Sequence, residues 1–70
     1  MRKGVLVPQR ESERLDIRFS STEYYGGLHC GETLEVQMNG KWIHTRIEIG
    51  RNWYLVGIQI ENLIGLIVRI

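Results

Sequence analysis

Residues 33–49 read TLEVQMNGKWIHTRIEI, with Asn39-Gly40 at the centre. Asn-Gly between two alternating runs signals a β-hairpin, because a type I′ turn demands positive φ at both central residues. A two-residue loop at 39–40 sets Met38 opposite Lys41, Val36 opposite Ile43, and Leu34 opposite Thr45. Side chains alternate across a strand, so one face collects Leu34, Val36, Met38, Ile43, Thr45, Ile47 and Ile49. The other face collects Thr33, Glu35, Gln37, Trp42, His44, Arg46 and Glu48. The first set is nearly all apolar and is expected to point to the core. The second is expected to meet water or a partner. A slip of one residue would exchange the faces, so burial should hold this register.

The rest of the chain extends the pattern. Gly4 to Val7 reads as a short strand stopped by Pro8, which cannot donate to a ladder. Leu15, Ile17 and Phe19 alternate with Asp16 and Arg18, which describes a half-buried strand. Ser20 to Gly31 breaks the alternation. Ser20 with Glu23 resembles a capping box, and Gly26-Gly27 can end a helical turn, so a single helical turn is expected there. Gly50-Arg51-Asn52 makes another turn. Trp53 to Ile60 is then read as a strand, apolar on both parities, covered on both faces or bulged at Gly57. Glu61-Asn62-Leu63 turns the chain into a closing strand, Leu66 to Ile70. That last strand is apolar on both parities and would invite aggregation as an edge, which favours closure of the sheet.

The totals set limits on function. Seventy residues make one domain, 1–70, with about 60% of its unfolded surface to bury and little room for a deep pocket. An apolar fraction of 43% is ordinary for a globular chain. No apolar run approaches the ~20 residues of a membrane span, and MRKGVLVPQR is too short in apolar residues for a signal peptide. A cytoplasmic location follows as the expectation. So does a reduced state for the single cysteine. The net charge of +1 gives no electrostatic argument for nucleic acid or membrane.

The stretch LHCGETLEVQMNGKWIHTRIEIGRNWYLVG, followed by GLIVRI, resembles a family of short bacterial proteins of unknown function. That family is common in Gram-positive bacteria and their mobile elements. The shared pattern is Gly31-Glu32, Trp42, Arg46-Ile47-Glu48, Trp53-Tyr54-Leu55 and Gly65 through Ile70. The resemblance implies an SH3-like barrel and no known activity. With the strand pattern, the expectation is an all-β fold: a small SH3-like barrel of five to six antiparallel strands with a short helical turn.

No residue set compels catalysis. His29, Cys30 and His44 lack the spaced ligand pairs of a zinc site, and nothing in their spacing makes Cys30 a nucleophile. Cys30 reads instead as the filler of a small apolar gap. No cofactor, metal or catalytic residue is assigned. The candidate binding surface is Trp42, with Glu35, Lys41, His44, Arg46 and Arg51 around it. An exposed tryptophan ringed by polar groups marks a contact surface, although another segment folded over it would make it structural. Trp53, Tyr24 and Tyr25 carry the same ambiguity. Two readings follow. One is a non-catalytic protein-interaction module. The alternative is single-stranded nucleic-acid binding, with Trp42 as a stacking platform beside Arg18, Lys41, Arg46 and Arg51.

Overall fold

The computed structural model describes every residue from Met1 to Ile70. Six strands follow in order: β1 (Lys3–Pro8), β2 (Leu15–Arg18), β3 (Thr33–Met38), β4 (Lys41–Ile49), β5 (Trp53–Leu55) and β6 (Ile67–Arg69). They form one antiparallel sheet in the order β2-β1-β6-β3-β4-β5. There is no helix, and so none long and apolar enough to cross a membrane.

The β3–β4 register is the one the turn dictates: Met38 faces Lys41, Val36 faces Ile43, and Leu34 faces Thr45. Asn39 has φ 52° and Gly40 has φ 76°, the paired positive values of the primed turn. Leu34, Val36, Thr45 and Ile47 are buried, and Met38 packs against them. Ile43 and Ile49 share their parity but not their burial, at 38% and 53% exposed. The cause is the length of β5. Its three residues pair only with Ile47 to Ile49, so no strand flanks Ile43 on that side of β4. Ile49 lies at the opposite end, at the mouth of the core.

The closing strand is where a doubly apolar segment belongs. β6 lies between β1 and β3, so both of its edges are paired and Val68 is fully buried. The sheet nevertheless stays open, with β2 and β5 as its edges, and the expected barrel closure does not occur. The edge of β2 is instead covered by irregular chain. Tyr25 and Leu28 N–H donate to the Ile17 and Leu15 carbonyls at 2.8 and 2.7 Å. The segment then reaches β4, where Ile47 N–H donates to the Glu32 carbonyl at 2.9 Å. Leu28 drops into the core on the way.

Two expected elements are replaced. Ser20 Oγ does accept N–H from Glu23, at 3.1 Å, but the Glu23 carboxylate turns to Arg2 rather than back to Ser20. Half a capping box yields a tight turn, not a helical one. The strand from Trp53 ends at Leu55. Gly57 has φ 79°, and Ile58 N–H closes a turn onto the Leu55 carbonyl at 3.0 Å. A turn that needs positive φ at its third position accounts for the glycine better than a bulge does.

Gly4 is the tightest point of the sheet. A Cβ there would stand 2.6 Å from the Arg18 carbonyl oxygen and 2.6 Å from Ile17 Cγ2. Val5 pairs with Arg18, so the backbone cannot retreat without losing the ladder. Gly4→Ala is expected to cost about 1–3 kcal/mol. Urea unfolding measures it, and a variant as stable as wild type would show that β1 and β2 are not this close.

Candidate functional site

Alternation places Glu35, Trp42, His44 and Arg46 on the outer face of the β3–β4 hairpin. There they meet a residue that the hairpin alone does not reveal. Glu35 pairs with Arg69 across β3 and β6, so the Arg69 side chain lies on the same face. Its guanidinium carbon sits 4.3 Å above the centroid of the Trp42 ring. The same guanidinium binds Glu35 Oε1 through Nε at 2.6 Å and a terminal nitrogen at 2.5 Å. Trp42 is therefore half-buried, with Arg69 over its ring. Glu35 faces His44 in the register, yet its charge partner is Arg69. Such a stack contributes about 0.5–1 kcal/mol when partly exposed, and it ties three strands together.

The other members of the surface scatter. Arg46 is paired with Glu48 at 2.7 Å on its own strand. Lys41 stands at the hairpin tip with the parity of the inner face. Arg51 lies in the β4–β5 turn, at the far end of β4 from Lys41, where it borders a different feature.

That feature is a groove of about 480 Å³ at the open mouth of the core. Leu15 and Leu63 form its floor, Trp53 one side, and Ile49 and Ile64 its shoulders. Glu13, Arg51 and Glu61 rim it. Trp53 is locked by its indole N–H, which donates to the Glu13 carbonyl at 2.7 Å and so tethers the β1–β2 loop. A second depression shares Glu13, Ile49 and Trp53 and continues past Arg14 to Cys30. The sequence offers Trp53 as a candidate aromatic. The exposure of Ile49 and Ile64 is not legible from alternation.

Cys30 is exposed, not packed into an apolar gap. Its thiol donates to Glu48 Oε1 at 3.0 Å. Accepting that hydrogen, Glu48 pushes the Cys30 thiol above its ordinary value. The thiol donor first, and Arg46 second, hold the Glu48 carboxyl below its usual range. Beside them Glu32 takes the Tyr25 hydroxyl and the His29 N–H. Burial pushes Glu32 up, but those hydrogen bonds together outweigh it and leave the carboxyl low. The same bond raises the Tyr25 phenol. No group of three His, Cys, Asp or Glu side chains gathers to hold a metal ion.

One further residue escapes the sequence reading. Asp16 is 5% exposed, and its Oδ1 accepts N–H from Ile17 at 2.8 Å and from Gly26 and Gly27 at 2.9 Å each. Gly26 and Gly27 have φ 109° and 102°, values that turn both N–H groups toward one carboxylate. A polar residue in a strand pattern gives no sign of this. The only sequence signal is the Gly-Gly that answers it.

An open six-stranded antiparallel sheet without a helix defines a small all-β domain. The chain belongs to the family described as a domain of unknown function (DUF5348), whose model matches residues 4–70. Its structure is similar to the crystal structure of a protein from Ruminococcus gnavus, with a TM-score of 0.93 and 48% sequence identity. That similarity covers 99% of this chain and 100% of the other. No curated protein matches.

The thiolate, not the thiol, is the reactive form of cysteine. Glu48 stabilises the thiol, so Glu48→Ala is expected to raise the thiolate fraction of Cys30 at mildly alkaline pH. Alkylation by iodoacetamide should quicken accordingly. An unchanged or slower rate would break the assignment of Glu48 as its partner.

Proposed function

We infer that the domain is a non-catalytic protein-interaction module and that its contact surface is the groove around Trp53. One observation carries the reading: Ile49 and Ile64, at 53% and 43% exposed, flank a tryptophan fixed by its own hydrogen bond. Water-facing aliphatics around a rigid aromatic anchor are the composition of binding hot spots, and ordering them on binding costs little entropy. The rim holds two carboxylates, Glu13 and Glu61, against one cation, Arg51. The ligand that fits is an aliphatic segment of another protein with a basic residue beside it. The face around Trp42 is a poorer candidate, because Arg69 already lies over the ring and Glu35 holds Arg69. For the same reason Trp42 is a poor stacking platform for bare bases.

Affinity capture from the native cell tests this reading with two variants beside wild type. Ile49→Glu should lose the captured partner by about tenfold or more while the domain stays folded. Trp42→Ala, where it folds, should retain it. Equal capture by wild type and Ile49→Glu would remove the groove from the account.

A further inference from the structure

On the opposite face of β2 from the Trp53 groove lies a second one. Leu15 lines the first, and its neighbours in the alternation, Asp16 and Arg18, line the other. Its volume is about 610 Å³, within the ordinary range of about 300–1,000 Å³ for small-molecule sites. We propose that this groove binds a guanine nucleotide, free or within a single strand.

Three features specify that chemistry. The first is Asp16. All three N–H groups it accepts go to Oδ1, and no group of the chain bonds Oδ2. No sealed side-chain oxygen lacks a partner, so Oδ2 keeps some access to solvent, and Asp16 lines this groove. A carboxylate only accepts, so a ligand at Oδ2 must bring a donor. The second is an aromatic ring beside two apolar side chains. The Tyr24 ring, half exposed and positioned by the bridge to Arg18, borders one side, and Val7 and Pro8 border the rest. Aromatic and aliphatic walls of this kind suit a planar base. The third is positive charge. Arg10 and Arg18 line the groove and neither is in an ion pair; Arg18 spends only its Nε–H, on the Ser20 carbonyl at 3.1 Å. Guanidinium groups there suit phosphate and disfavour a cationic ligand for Asp16.

A donor edge, a flat ring and an anion together describe a nucleotide. Guanine is the base whose N1–H and 2-amino group stand side by side, so that both can converge on Oδ2, the one oxygen the chain leaves free. Adenine and cytosine place a ring acceptor next to the amino group, where its lone pair would face the carboxylate. The uracil N–H lies between two carbonyls. This site is independent of the Trp53 groove, and either can fail without the other.

The test is an amide-shift titration of the isotope-labelled full chain with GMP, AMP, UMP and inorganic phosphate. A single-stranded tetranucleotide carrying one guanine is the further arm. GMP should move the amides of residues 7, 9, 10, 16–18 and 24, and bind about tenfold tighter than AMP or UMP. Tyr24→Ala and Arg10→Ala, both at exposed positions, should each weaken GMP about fivefold with the remaining spectrum intact. A tetranucleotide tighter than GMP assigns the site to a strand, and equal affinity assigns it to the free nucleotide. The proposal is overturned if neither moves these amides at millimolar concentration. It is equally overturned if phosphate alone reproduces the shifts, or if AMP matches GMP.

Discussion

The reversal at Asn39-Gly40 is the constraint on which the rest of the sheet depends. Two consecutive positive φ values commit Met38 and Lys41 to face each other, and every later pairing of β3 with β4 inherits that parity. The inward set then meets β6, whose Val68 packs opposite Val36, while Arg69 comes to Glu35 on the outside. β6 in turn sets β1, with Lys3 beside Arg69 and Val5 beside Ile67. One turn thus propagates inside and outside across four strands, because a strand has only two faces and burial accepts only one of them.

What the ladder cannot hold is held by single polar side chains. Asp16 gathers three N–H groups and fixes 26–27 against β2. Thr45 Oγ1 donates to the Val56 carbonyl at 2.7 Å, just where β5 gives way to a turn. The Trp53 indole ties the β1–β2 loop to β5, on the far side of the sheet order. Each satisfies a backbone group that would otherwise be stranded in a domain only 18 Å thick along its shortest axis. The same economy leaves two features unfilled: a groove lined by apolar side chains, and an aspartate oxygen with no partner in the chain.

Much of this was legible in the sequence where local rules suffice. Asn39-Gly40 gives the hairpin and its register, Pro8 bounds β1, and the alternation from Leu15 gives β2. The failures share a physical cause. Ile43 has core parity, but its exposure depends on β5 ending at Leu55, which a turn at Gly57 decides. Trp42 is covered by Arg69, a residue 27 positions away that arrives only through the β3–β6 pairing. Leu28 enters the core, and Cys30 and Asp16 find their partners, through irregular chain without periodicity. The need to protect β6 points, in the sequence alone, to closure into a barrel. The sheet meets that need by placing β6 in its middle. Charge and proximity in sequence group Arg51 with Trp42, whereas the length of β4 sends it to the rim of the other tryptophan's groove.

The register at 39–40 can be read from proton–proton contacts in solution. In an antiparallel pair, Cα protons approach most closely at the positions that share no hydrogen bonds, which after a two-residue loop are Gln37 with Trp42 and Glu35 with His44. Strong nuclear Overhauser effects between the Cα protons of those two pairs are the predicted result. Strong effects instead between Gln37 and Ile43, or between Val36 and Trp42, would mean a slipped register. That result would contradict the inner and outer faces together with the groove that Ile49 borders.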